Sequence, residues 1–468
     1  MNTTTIQSYI NQLWDQSITP TLVDFIKIPN KSPMFDHDWK SHGFMHQAVD
    51  LIKNWCLSHA PKNMHLEVIE LENRTPVIYI DIPGQSDETL LLYGHLDKQP
   101  EMEGWDADKG PWQPVMQDGK LYGRGGADDG YAAFASLAAI NALQQQNIPH
   151  ARCVLLIEAS EESGSLDLPF YIDHLQAKIG SPTLVICLDS GCGNYEQLWS
   201  TTSLRGIAGG VLSVEILSEG LHSGGYSGIV PSSFRITREL LDRVENPKTG
   251  EILLPELVAD IPKQRIEQAK KAANILGDDI FKSIPFVRGA YPVSDDLCQL
   301  LLNSTWRATL STIGAGKLPA LEDAGNVLRP KTQLKLSFRI PPSTDAHTAN
   351  AAIKKTLEDN PPYGAKVSYT GEDVASGWHA PIVAPWLEQA SNKASNTFFE
   401  KDNAYIGEGG TIPFMGMLGE KFPNTQFLIT GVLGPKSNAH GPNEFLHIDY
   451  AKKLTACVAM VIAEHFVR

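Results

Sequence analysis

The chain has 468 residues, 42% hydrophobic and 20% charged, with 39 basic against 54 acidic side chains and a net charge of −15. That length exceeds what one hydrophobic core usually organises, so two domains are expected, and a composition without low-complexity tracts or fixed repeats excludes a disordered or fibrous protein. The acidic balance argues against nucleic acid and anionic membrane surfaces as partners, which attract a basic footprint, and leaves small molecules and peptides.

The opening stretch, MNTTTIQSYINQLWDQS, carries neither the basic nor the apolar region of a secretory signal, and no apolar run reaches spanning length. Cys56, Cys153, Cys187, Cys192, Cys298 and Cys457 include no Cys-x-x-Cys pair. This argues against a disulfide framework or a thiolate metal site, and a reduced cytoplasm is the expected location. Apolar residues at Ile6, Ile10, Leu13 and Trp14, then Leu22, Val23, Phe25 and Ile26, have helical spacing with a break at Pro20. A second amphipathic helix is expected over 46–58, then strands over 66–71 and 76–82.

The run Leu90–Asp97, LLLYGHLD, has the continuous apolar character of a central strand in a parallel sheet covered on both faces. Ligands of such sheets bind beyond the carboxyl ends of the strands. His95 and Asp97 stand at that end, and their period-two spacing points both side chains the same way, as a shared metal ion requires. Alone, the pair reads equally as a hydrogen-bonded core histidine beside an acid. The Gly/Pro/Trp-rich segment that follows lacks periodicity and reads as a loop lining the site. Next, GKLYGRGGADDG leads into the strong helix former YAAFASLAAINALQQQ, so Asp128 and Asp129 precede a helix, either as caps or as ligands.

Residues 152–157 form another buried strand, ending near Glu161 and Glu162. Such an adjacent pair is commonly a solvated surface feature, yet at a parallel-sheet mouth it suits one metal ligand and one general base. A third buried strand, 183–188, ends at Asp189. From about Arg205 the texture changes: 206–217 alternates like an antiparallel strand, 231–244 and 257–273 look helical, 332–340 is a strand carrying Arg339, and a helix over 345–357 and a strand over 365–370 complete an α+β unit. An inserted domain over 205–378 is therefore expected, with the catalytic domain divided between 1–204 and 379–468. The doubly wound pattern resumes with a helix over 386–398, a strand over 425–432, a Gly/Pro-rich loop holding His440 and a closing helix over 448–465.

The candidates His95, Asp97, Asp128, Glu161, Glu162, Asp189 and His440 thus gather at one end of one sheet. Carboxylates and imidazoles without thiolates suit zinc, manganese or cobalt better than calcium. An open zinc site typically keeps three protein ligands, so five ligands fit two ions if one carboxylate bridges both.

The motifs His95-Leu96-Asp97, Asp128-Asp129, Glu161-Glu162-Ser163-Gly164, Asp189 and His440-Gly441-Pro442, in this order, resemble metallopeptidase family M20, nearest its carnosinase-like, cytosolic nonspecific dipeptidase branch. The resemblance implies a three-layer α/β zinc-peptidase fold with an inserted α+β lid and dimerisation domain, two divalent metal ions and a homodimer. It implies that Asp128 bridges the metals, with His95 and Asp189 on one and Glu162 and His440 on the other. Asp97 would orient the His95 imidazole. Glu161 would be the general base, taking the proton of the metal-bound water that attacks the amide. It implies a cis Asp128–Asp129 bond as well.

His222, in LHSGGYSG, resembles a histidine that reaches the partner subunit's site, Asn326 and Arg339 resemble contacts to the substrate carbonyl and carboxylate, and Gly410 with Thr411 resembles a carboxylate-binding loop. The implied activity is hydrolysis of dipeptides or short peptides bearing a free C-terminal carboxylate. Alternatives are an N-acyl amino-acid deacylase, a metallocarboxypeptidase or an inactive peptide-binding module. One departure stands out: many carnosinase-like members read Asp-Asp-Lys-Gly where this chain has Asp128-Asp129-Gly130-Tyr131, so a cation beside the metal loop is expected to be lost.

Overall fold

A computed structural model describes residues 1–410 and 413–468. Its organising element is a large mixed sheet in the order 65–69, 77–82, 152–158, 89–95, 182–187, 426–429 and 199–204, with 378–379 and 404–408 both paired to the last strand. The strands Arg152–Glu158, Thr89–His95, Pro182–Cys187 and Gln426–Ile429 run parallel to one another. Their carboxyl ends therefore emerge along one edge, which places His95, the Glu161–Glu162 turn, Asp189 and the loop leading to His440 together.

Period-two alternation builds the layers. Ile78, Ile80, Leu90, Leu92, Leu155, Ile157, Leu184 and Ile186 enter one core beneath the helices Phe44–Ser58, Ala132–Gln145, Pro385–Phe399 and Ile448–Val467. Val77, Tyr79, Leu91, Tyr93, Val154, Leu156, Val185 and Cys187 enter the other, beneath Leu168–Ile179 and Pro413–Lys421. Both faces are dry, which explains why these strands read as unbroken apolar runs. Each aliphatic side chain buried this way contributes roughly 1.5–3 kcal/mol.

A separate antiparallel sheet, in the order 309–316, 331–340, 206–215 and 366–375, packs against helices Ser233–Leu241 and Ala346–Glu358 with a core of its own. The helix Lys263–Leu276 and Leu301 of the helix Leu297–Thr305 lie elsewhere: Ala272, Ala273 and Leu301 join the core of the large sheet.

Three local expectations change. The chain stays helical through Pro20, because a wide π-type turn over Trp14–Ile18 precedes a helix that takes the proline at its start, where no amide is required. Helix 257–273 shortens to Lys263–Leu276, since Pro262 sits immediately before it at the N-cap. Strands Trp199–Leu204, Thr309–Gly316 and Ala404–Glu408 were not apparent, because their Ser, Thr and Gly content hides the alternation.

Candidate functional site

Two of the expected ligands are set by the end of the central strand and by the segment before the Ala132–Gln145 helix. Gly94 allows the close approach: a Cβ there would lie 2.5 Å from Ala132 Cβ and 2.7 Å from Asp129 Oδ2. Asp129 Oδ2 in turn accepts the His95 amide at 3.2 Å. Asp128 and Asp129 are joined by a cis peptide bond. In this arrangement Asp128 presents its two oxygens to two different imidazoles, Oδ1 at 3.3 Å from His95 Nε2 and Oδ2 at 3.1 Å from His440 Nε2. His95 Nε2 also lies 3.7 Å from Asp189 Oδ1, and His440 Nε2 lies 3.3 Å from Glu162 Oε2.

The donor atoms of His95, Glu161 and Asp189 lie within 4.8 Å of one another, as do those of His95, Asp128 and Glu162. Imidazole nitrogens and carboxylate oxygens at this spacing fit a divalent ion of the zinc, manganese or cobalt type. Asp97 has two sets of contacts. The His95 Nδ1 atom lies 3.1 Å from the Asp97 main-chain carbonyl and 3.5 Å from its carboxylate. The carboxylate also accepts the amides of Glu161 at 3.1 Å and Glu162 at 3.0 Å, so Asp97 anchors the short turn that carries both glutamates. A carboxylate is the right group there, since it can accept both exposed amides of the turn's first residues.

The electrostatics follow from crowding. Burial alone would lower the His95 imidazole, but the carboxylates of Asp189, Asp128 and Asp97 raise it well above its ordinary value. Burial raises Glu161 well above the carboxylate range, helped by Asp189, and it raises Glu162 likewise, helped by Asp128 and Glu161. Asp128 moves the other way: burial is outweighed by hydrogen bonds from His440 and His95, which lower it.

The remaining candidates fall into two groups. His222 lies exposed in a two-stranded ribbon, paired with Val327, and Ser223 donates its amide to the Asn326 carbonyl at 2.9 Å. His222 and Asn326 are thus neighbours, but no hydrogen bond or ion pair joins either to the acid cluster among the described residues. Arg339 is half-buried on the 331–340 strand, and burial lowers its guanidinium. Burial, joined by the positive charge of Arg339, lowers the pKa of the Arg205 guanidinium to about 10, and the Arg205 amide donates to the Glu408 carbonyl at 3.2 Å, directly before Gly409 and Gly410. Gly410 is exposed, and Thr411 lies outside the described residues.

Several positioning contacts were not singled out from the sequence. Gln99 donates to Glu162 Oε2 at 2.6 Å. Glu408 Oε1 accepts from the Ser190 hydroxyl at 2.8 Å and the Gly191 amide at 2.7 Å, tying the Asp189 loop to the loop at 408–410. Glu158, in register with His95 across the strand pair, is pushed up to about 7, chiefly by burial, and accepts from Tyr93 at 2.6 Å and Ser165 at 2.8 Å. Hydroxyl-bearing and acidic residues of this kind carry no spacing that marks them.

The missing lysine has a steric explanation. A Cβ at Gly130 would lie 2.3 Å from Phe25 Cε1 and 2.6 Å from the Gly125 carbonyl oxygen, so position 130 has no room for a side chain. Nor is the neighbourhood without a lysine. Lys98, fully buried, donates to the carbonyls of Phe25 at 2.7 Å and Ile28 at 2.8 Å, and its ammonium lies 4.0 Å from the centre of the Phe25 ring. Its stem packs on Gly125, where a Cβ would stand 2.5 Å from Lys98 Cγ. A lysine side chain thus approaches the loop from a different strand end, although burial lowers the pKa of its ammonium well below the ordinary lysine value. Gly130→Ala is expected to lower stability by about 1–3 kcal/mol through overpacking, read as a lower melting temperature; an unchanged melt would show that Phe25 yields freely.

A family model described as peptidase family M20/M25/M40 matches residues 91–464. In sequence the chain is similar to the cysteinylglycine-S-conjugate dipeptidase of Corynebacterium striatum, 25% identical over 396 residues that cover 82% of this chain and 83% of that protein. It is also similar to the Beta-Ala-His dipeptidase of Homo sapiens, 25% identical over 365 residues, or 74% of this chain and 69% of that protein. In fold it is similar to the M20 metallo-carboxypeptidase Sso-CP2 of Sulfolobus solfataricus, with a TM-score of 0.77 over 96% of this chain and 100% of that one at 20% identity.

Proposed function

The chain belongs to peptidase family M20/M25/M40, and we propose that within it the protein is a di-metal dipeptidase that hydrolyses dipeptides or short peptides with a free C-terminal carboxylate. The observation that carries this reading is Asp128, whose two oxygens each face a separate imidazole. Charge supports it: the carboxylates of Asp97, Asp128, Glu161, Glu162 and Asp189 crowd around only two imidazoles, an excess that two divalent cations offset. In this reading His95, Asp189 and Asp128 hold one ion, and Asp128, Glu162 and His440 hold the other. Zinc is the proposed metal, and manganese and cobalt suit the same donors.

When bound, the two ions supply Lewis acidity that polarises an amide carbonyl and lowers the pKa of a water. The chain's own residues do the rest. Glu161 takes the proton of the attacking water and delivers it to the leaving amine, from a turn that Asp97 holds in place. Arg339 pairs with the substrate carboxylate, Gly410 and Thr411 close the same subsite, and Asn326 donates to the reacting carbonyl. His222 performs its oxyanion role in the site of a second copy, which makes the homodimer part of the proposal, with 205–378 as lid and dimerisation domain. The exposed side chains of Tyr226, Ile229, Ile313 and Leu321 on this segment, and the unpaired edge of its 309–316 strand, support such an interface. All six cysteines are free, in keeping with a reduced cytoplasmic location. No described helix is long and apolar enough to cross a membrane.

The test is a substrate panel on metal-free protein reconstituted with zinc or manganese: free dipeptides, N-acetylated dipeptides, tripeptides and N-acyl amino acids. Release of both amino acids from free dipeptides, by a species that sediments as a dimer, is the expected result. Turnover confined to blocked substrates would move the function to deacylase or carboxypeptidase, and an active monomer would remove the role given to His222.

A further inference from the structure

The two imidazoles are held in unlike ways. His95 is nearly inaccessible, and its second ring nitrogen is braced by Asp97. The side chain of His440 is 55% exposed, and among the described residues the ion pairs of its ring are with Asp128 and Glu162. Its backbone has φ +65°, a left-handed conformation that costs an ordinary residue about 1–2 kcal/mol. Something other than the ring must therefore hold this residue in place.

That something is Arg124, which is 1% exposed. Its Nη2 donates to the His440 carbonyl at 3.1 Å and the Gly441 carbonyl at 2.9 Å. Its Nη1 donates to Glu444 Oε2 at 2.5 Å, and its Nε donates to the Pro100 carbonyl at 3.2 Å. The other oxygen of Glu444 accepts the Gly125 amide at 2.9 Å, at the start of the segment that carries Asp128. One planar guanidinium thus joins the loop after Asp97, the loop before Asp128 and the loop of His440. A lysine has the charge but not the fork needed to make these bonds together.

We propose that Arg124, with Glu444 as its counter-ion, is the positioning residue for His440 and so sets the affinity of the ion that His440 and Glu162 hold, leaving the His95–Asp189 ion largely untouched. The proposal rests on the two-ion reading above. The side-chain hydrogen bonds of Arg124 among the described residues all go to main chain or to Glu444, and its guanidinium also lies 5.8 Å from the centre of the Trp105 ring. None of these partners is the side chain of a proposed metal ligand, so Arg124 acts through loop geometry, and this explains how an exposed histidine at a disfavoured φ can serve as a ligand.

The experiment is a zinc titration of the metal-free full chain against a chromophoric chelator, for the unmodified protein, Arg124→Ala and Arg124→Lys, with thermal melts alongside. The unmodified protein is expected to take up two ions. Arg124→Ala is expected to keep one at its original affinity and to bind the second about 10–100-fold more weakly, the usual scale for removing a group that orients a ligand. Added guanidinium is expected to restore the second ion to that variant, a rescue that general destabilisation would not show. If Arg124→Ala does not fold, Arg124→Lys carries the test, with the second ion weakened and the first unchanged. Two ions at unmodified affinity in the folded variant, or equal loss of both, would overturn the role of Arg124. Fewer than two ions in the unmodified protein would overturn the two-ion reading first, before any variant is compared.

Discussion

Replacement of Glu161 by Ala is expected to lower kcat by about 10²–10⁴-fold, the range typical of a positioned general base, while metal content stays at the unmodified level. The donor atom of Glu161 lies within 4.8 Å of those of His95 and Asp189, so its carboxylate stands within the proposed metal-binding cluster. The turn that carries it is fixed through its backbone by Asp97, and that anchor survives truncation of the side chain. Ligand geometry should persist while proton transfer fails. The measurement is steady-state kinetics on the best dipeptide of the panel, paired with metal analysis of the same sample. Because Glu161→Gln keeps the shape and removes the base, it should fall as far as Ala; full activity in either variant would remove the assignment. Loss of metal from both variants would make Glu161 a ligand instead.

Asp128→Ala is expected to have the widest consequence. One carboxylate serves both imidazoles, through Oδ1 for His95 and Oδ2 for His440, so its loss removes a ligand from each proposed site at once. Both ions should be lost on desalting and turnover should fall to background. The stabilisation that bound metal adds should disappear too, because a ligand that binds only the folded state raises its melting temperature by mass action. The melting temperature with and without added zinc checks this directly. An Asp128→Ala protein that keeps two ions and a zinc-dependent melt would show that the sites are independent, and the bridge would have to be abandoned. Compared with Arg124→Ala, expected to lose one ion, the pair of variants separates a shared ligand from a residue that orients only one.

The large sheet and most of the acid cluster were legible because both rest on local rules. Unbroken apolar runs at 90–93 and 153–157 read as strands buried on both faces, and the residue types beyond their ends mark where a site can form. The His95-x-Asp97 spacing placed the two side chains together correctly. The anchoring use of Asp97 was not visible, because its partners, the amides of Glu161 and Glu162, arrive from a turn 64 and 65 residues further on. The strand at 199–204 was missed for a related reason: its Trp-Ser-Thr-Thr-Ser-Leu sequence looks solvated, whereas its hydroxyls are in part satisfied inside the fold by Glu408 and Asn403.

Chain order and residue type by themselves determined which residues are candidates and the sheet edge where they meet, since period-two alternation and parallel pairing leave few other arrangements. What only the tertiary structure decided is how those residues are held. Gly130 is a glycine because the Phe25 ring occupies the space beside it, and the buried lysine near that loop is Lys98. Arg124 and Glu444 stand 320 residues apart and still close around one another beneath His440. Such contacts are set by packing between distant segments, where close approach and directional hydrogen bonds select the partner, and neither property leaves a periodic trace along the chain.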